Sequence, residues 1–206
     1  MKKMTVVTAA ACLLLAPALA EARGGGGIEY FTNLGTDVLG PVTVAPGVLV
    51  HAPTGSVSVL SAYGFGITSG GWKIGGFATG FYAAGLSLPF PSLGEAITTA
   101  AGGVGGVISG GFARWDQFCL SMDLRLGAGG MAVGMVDDPP IAGAVPFWTG
   151  VFTLYGALSA EAGFLFVPAM LISLRVGLDA VVAFSYSGPF PVAVPTMGIR
   201  FTWGRF

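Results

Sequence analysis

Proline narrows what this chain can become more than any other residue, because its positions cluster. Past residue 20 there are twelve prolines. Pro41, Pro46 and Pro53 form one group, Pro89 and Pro91 a second, Pro139, Pro140 and Pro146 a third, and Pro189, Pro191 and Pro195 a fourth, with only Pro168 apart. A proline nitrogen has no hydrogen to donate to a β-ladder, so proline is kept out of paired strands. Groups recurring every 45 to 50 residues or so mark four long connections, and the segments between them are about twice a membrane-strand length. These segments break near their middles at Thr68-Ser69-Gly70-Gly71, at Ala113 to Gln117, and at Glu161 to Pro168. Such polar or glycine-rich breaks read as hairpin turns. The predicted strands are 25–33, 56–67, 72–86, 101–112, 118–134, 147–160, 169–186 and 196–206. Long connections alternating with short turns fit an all-β fold, a closed antiparallel up-and-down transmembrane β-barrel of eight strands.

Composition bears on the solvent. With 53% apolar residues, 9% charged residues and 35 glycines, the chain has too little charge to keep a water-soluble domain of this size dispersed, which points to lipid cover. Only helix bundles and closed barrels satisfy every backbone group in lipid. Side-chain alternation selects the barrel. Leu174, Val176, Leu178, Ala180, Val182 and Phe184 oppose Ser173, Arg175, Gly177, Asp179, Val181 and Ala183, a period of two. Leu120, Met122, Leu124 and Leu126 likewise oppose Cys119, Ser121, Asp123 and Arg125. The segments 72–86 and 101–112 hold too much glycine to assign faces. A polytopic helical membrane protein is the alternative fold. It would bury Arg125, Asp123, Arg175 and Asp179 in apolar spans and carry helix-weakening glycine pairs.

Lys2 and Lys3, an apolar run from Met4 to Leu15, and Ala18-Leu19-Ala20 have the order of a secretory signal peptide. Residues 1–20 are therefore expected to be cleaved, leaving 21–206 as the barrel domain. Two of the nine Lys/Arg lie in that leader, so seven face ten Asp/Glu, a formal charge of −3. That leaves no basic patch for nucleic acid. Cys119 is the one cysteine past the leader, which excludes an intrachain disulfide. No metal spacing or phosphate-binding glycine context is present, so no cofactor is expected.

The charges that fall on inward phases are Glu29, Asp123, Glu161 and Asp179 against Arg125, Arg175 and Arg200, with Lys73 available. Their near balance reads as a salt-bridge network filling a narrow lumen, bridging across to other strands rather than pairing in place. Trp72, Trp115 and Trp203 fall at the short-turn ends of strands, and Trp148, Tyr82 and Tyr186 at the long-loop ends, the places of two interfacial aromatic girdles. The long loops are themselves apolar and proline-rich, with Pro89-Phe90-Pro91 echoed by Pro189-Phe190-Pro191. Apolar loops of this kind suggest contact with a partner or a hydrophobic ligand.

With this strand plan and Phe206 following Phe201 and Trp203, the chain resembles the small eight-stranded outer-membrane barrels. These include the outer membrane protein A transmembrane domain and the outer membrane protein X and W groups. The resemblance implies a bacterial outer membrane location, outer-membrane lipid as surroundings, and recognition of Phe206 by the assembly machinery, although Phe206 is out of phase with Ile199 and Trp203. It implies a non-enzymatic structural or binding role. The alternatives are a narrow pore and a rim-located lipid-modifying enzyme built on His51, the one histidine, with Ser56, Asp37, Asp137 and Asp138 within reach. Deleting Phe206 is expected to lower the yield of folded barrel in cells, measured by heat-modifiable gel mobility. Unchanged folding after loss of both Phe206 and Trp203 would remove the assembly-signal reading.

Overall fold

The computed structural model describes residues 23–34, 42–45, 48–50, 55–90, 95–137, 147–185 and 188–206. Ten strands follow in order: β1 (Arg23–Asn33), β2 (Val42–Ala45), β3 (Val48–Val50), β4 (Ser56–Ile67), β5 (Trp72–Phe90), β6 (Glu95–Trp115), β7 (Phe118–Asp137), β8 (Phe147–Val167), β9 (Met170–Ser185) and β10 (Gly188–Arg205). All but β2 and β3 join one antiparallel barrel, in which consecutive barrel strands pair and β1 closes the ring by pairing with both β4 and β10. β2 and β3 form a separate small hairpin between β1 and β4. The described residues contain no helix, so the helical alternative does not apply. Closure leaves no strand edge along the ring, the only β-architecture that satisfies its backbone without water.

The strands reach further than the breaks and proline clusters suggested, toward the long loops in β5, β6 and β10 and toward the turn in β8. β6 begins at Glu95 and β8 runs through Glu161 to Val167, which reduces the third break to the two residues Pro168 and Ala169. Pro89, Pro189, Pro191 and Pro195 lie within strands. The geometry of β10 explains how prolines are accommodated there. Odd residues of β10 point their backbone polar groups toward β1, since the Pro195 carbonyl accepts the Leu34 N–H at 2.9 Å. Even residues point toward β9, as shown by Gly204 donating to Ala169. Pro189, Pro191 and Pro195 are all odd, and β1 ends at Asn33 opposite Thr196. Pro195 stands at the end of the β1 ladder, where only its carbonyl is used, and Pro189 and Pro191 lie beyond the last described β1 partner. Proline is excluded from the bonded side of a strand, not from the strand.

The short turns have local causes. Trp72 donates its N–H to the Thr68 hydroxyl at 3.0 Å, and Gly71 takes a φ of 79° that suits glycine. Asp116 takes a φ of 54°, in the left-handed region that Asp tolerates better than most residues.

Glycines on the inner wall serve closeness. A Cβ on Gly27 would run into the Phe201 carbonyl oxygen, and one on Gly106 into the Leu126 carbonyl oxygen, whereas Gly111 has open space. Gly106→Ala should therefore destabilise the barrel by about 1 to 3 kcal/mol. Gly111→Ala should stay within about 0.5 kcal/mol of the parent or gain slightly. Urea unfolding in lipid checks both, and equal losses would show that wall curvature does not need the glycine.

Candidate functional site

Period-two alternation on a closed sheet sends every second residue into a small lumen, and this chain uses that lumen for its charges. Eight charged side chains are buried there: Lys73, Arg125, Arg175 and Arg200 with Glu29, Asp123, Glu161 and Asp179. Four of each sign give a neutral interior. The other charged side chains that are described, Arg23, Arg114, Asp116 and Arg205, are exposed at the turn end. The glycine-rich strands are now assigned, with Lys73, Phe77, Thr79 and Ala83 of β5 and Ala100, Val104 and Ile108 of β6 facing in.

Arg200 is the hub. Its Nε donates to Glu29 Oε2 at 2.8 Å, and its Nη1 donates to Asp123 Oδ2 at 3.0 Å and to Glu161. Glu29 also receives both Nη groups of Arg125, Nη2 at 3.0 Å. Asp123 also pairs with Lys73, whose Nζ donates to Ser121 Oγ at 2.6 Å. These six charges come from β1, β5, β7, β8 and β10 and bridge the lumen. Arg175 and Asp179 do otherwise. They pair along their own strand at 3.0 Å, where bridging across was expected. Four residues of strand span about 13 Å, which an extended Arg and an Asp together cover. The Tyr155 and Thr196 hydroxyls complete the Asp179 carboxylate.

Strands one or two places round the ring supply aromatic faces. Arg200 lies over Tyr63 at 4.6 Å, Arg175 over Phe31 at 4.2 Å, Arg125 over Phe77 at 5.6 Å and Lys73 over Phe65 at 4.8 Å. Each desolvated contact of this kind contributes up to about 2 kcal/mol. The Nε groups of Arg125 and Arg175 have no hydrogen-bond partner among the described residues, so the ring faces are part of what makes these guanidinium groups tolerable inside. The rings went unnamed in the sequence reading although the signal was present. Phe31 and Phe77 share strand phase with Glu29 and Lys73, as Ser121, Ser173, Thr196 and Thr202 share phase with the other charges.

The charged layer is densely filled: Arg125 is 0% and Arg200, Lys73, Glu29 and Asp123 are each 1% exposed. Below it, Cys119, Leu165 and Leu171 form an apolar floor. Phe206 turns inward onto that floor and stacks with Phe112 at 6.0 Å. Arg114 Nη1 donates to the Phe206 carbonyl at 2.9 Å.

The outer wall is the inverse of the interior. Leu60, Ile74, Leu120, Met122, Leu124, Leu158, Leu174, Val176 and Ile199 are exposed. Trp72, Trp115 and Trp203 project outward at the turn end, joined by Phe118 and Phe164, which meet edge to face at 5.5 Å. Toward the loop end Tyr82 projects outward, with Phe152 and Phe184 in contact at 5.9 Å and Trp148 further along β8. Phe164 to Phe152 is about 30 Å along the barrel axis at a strand tilt near 40°. Between these levels no described outward side chain is charged. Tyr186 and His51 lie outside the described residues, as do Asp37 and Asp138.

The structure is similar to the crystal structure of Ail, the attachment invasion locus protein of Yersinia pestis. The identity is 13% with a TM-score of 0.40, over 89% of this chain and 99% of that chain. No protein-family model matches the chain. No curated protein matches it.

The network makes a ranked prediction. Arg200→Leu removes three ion pairs at once and leaves Glu161 with no cation, although Glu29 keeps Arg125 and Asp123 keeps Lys73, whereas Arg175→Leu removes one pair and leaves Asp179 held by two hydroxyls. Arg175→Leu should cost on the order of 3 to 5 kcal/mol, as expected for one partner lost from a buried pair. Arg200→Leu should cost more, and Arg200→Leu unfolding in urea like the parent would mean that the lumen is hydrated and the network carries no weight.

Proposed function

We propose that the chain is an integral barrel of a bacterial outer membrane, exported by a cleaved leader, with a lumen closed to ions and a non-enzymatic structural or binding role at its loop end. One observation carries this reading: the wall is apolar outside and charged inside, the reverse of a water-soluble barrel. The apolar band, about 30 Å between aromatic levels, is close to the ~25 Å expected of an outer-membrane barrel. Interfacial aromatics at both levels suit headgroup depth. The four exposed charges at the turn end would then lie in periplasmic water, and the long connections would face outside. The closed charge layer supports a plugged barrel over a pore.

The test is cellular and electrical. The protein should fractionate with outer membranes and run faster on gels before heating than after. A protease site near Gly47 or Pro140 should be cut on intact cells, and one near Gly70 should be protected. Planar bilayers should show no steady conductance. A large ion-selective current from the wild type would replace the plug with a channel. Cleavage at Gly70 alone would invert the topology.

A further inference from the structure

The interior changes character toward the loop end. Above Asp179 and Thr196 no described side chain in the lumen is charged, and a cavity of about 90 Å³ opens, lined by Val57, Phe81, Ile97, Val133, Phe190 and Val194 among other apolar side chains. No polar side chain contributes to its lining. This sets it apart from the layers below, where buried carboxylates and cations are matched with partners across the lumen. The cavity also stands high in the barrel. Ala83 is eleven residues above Trp72 on β5, and Val133 is fifteen above Phe118 on β7. At ~3.3 Å per residue and ~40° tilt these lie roughly 28 and 38 Å above the lower aromatic level, which puts the chamber at the upper aromatic level, where Phe81 and Ala83 flank the outward Tyr82.

We propose that this chamber is a binding site for a small uncharged hydrocarbon-like molecule, the alkyl end of a hydrophobic compound arriving at the loop end of the barrel. The proposal rests on the membrane reading above and gives its binding role a place and a ligand class. Water needs two to four polar partners to occupy a cavity, and this one offers none from its side chains. Apolar cavities of comparable size stay dry and accept apolar guests. A large fixed side chain in place of Ala83 or Ala100 would fill the space, yet both positions hold alanine against the cluster of Leu86, Ile97, Val133, Ala183 and Phe190. Val57, Met131 and Val192 border the cluster and are only partly buried, so the chamber is not sealed on every side.

The test uses the full mature chain, methyl-labelled, in lipid nanodiscs and titrated with n-hexane. Methyl resonances of Ile97, Val133 and Val194 should shift saturably. Those of the outward Leu124 and Val176 should drift without saturating as hexane dissolves in lipid. Ala100→Leu should lose the saturable component while keeping heat-modifiable mobility, with Ala83→Leu as the second variant should the first fail to fold. In the absence of hexane, cross-relaxation from lipid chain ends to the same three methyls would identify the hydrocarbon as a membrane lipid tail, and its absence a guest from solution. A folded barrel whose chamber methyls drift like the outward ones overturns this inference alone, as does a filled variant that still saturates. A chain that does not enter lipid overturns the membrane reading and this inference with it.

Discussion

Arg200 joins three carboxylates, Glu29, Asp123 and Glu161, that reach it from β1, β7 and β8. Ladder hydrogen bonds connect each strand only to its neighbours. The guanidinium connects strands across the ring, and its fixed fork of donors is what one residue needs to meet three partners. Burying a cation this deeply is costly unless it is matched, so the hub depends on its surroundings being right. β10 must close on β1 to bring Glu29 opposite Arg200 in register, and β4 on the far side of β1 must bring the ring of Tyr63 over the guanidinium. Barrel closure and lumen chemistry thus require each other.

The same coupling explains the glycines. Large inward groups such as Arg200, Tyr63 and Phe77 need room in a ring of eight strands, and inward glycines provide it. At Gly127 a Cβ would lie 2.7 Å from the Gly105 carbonyl oxygen and 3.0 Å from the end of the Phe77 ring. The glycine content that suggests weak structure by propensity is, in this setting, the complement of a crowded lumen. Chain entropy lost at each glycine is offset by ladders on both sides and by packing that no larger residue would allow.

The fold was largely legible, and the reasons are physical. Period-two alternation survives wherever one face meets lipid and the other meets charge, so 118–134 and 169–186 showed both their strands and their faces. β5 and β6 did not, because glycine at Gly75, Gly76, Gly102, Gly103, Gly105 and Gly106 erases the contrast between faces. Glu161 was read as the start of a turn because polar residues usually sit in turns, yet inside a barrel a carboxylate belongs in a strand. The eight lumen charges could be named from phase, but who pairs with whom could not. Glu161 stands opposite Arg175 in the β8–β9 register and nevertheless bonds to Arg200. Strand register fixes where a side chain starts, while long side chains choose partners by reach and by the dielectric around them. The apolar chamber was invisible for another reason. Val57, Phe81, Ile97 and Phe190 are ordinary strand residues in sequence, and only the curvature of the closed sheet turns their faces toward one another.

Closure also decides how the loop end can be used. β1 stops at Asn33 while β10 continues to Gly188 beside β9, so among the described residues the upper part of β10 has a ladder partner on the β9 side alone, with β3 lying close to it. A strand edge without a ladder partner is a template for pairing with another chain. Pro189 and Pro191 remove two of its donors, and the Pro195 nitrogen removes the donor at the point where β1 ends. The wall can therefore lose strands at its rim without acquiring an adhesive edge. With ladder bonds no longer required there, the rim is free to be shaped by side-chain packing, and in this chain that packing is apolar. A rigid charged layer below and a proline-guarded rim above leave the interior between them as the part of the barrel whose contents are not dictated by the need to stay folded.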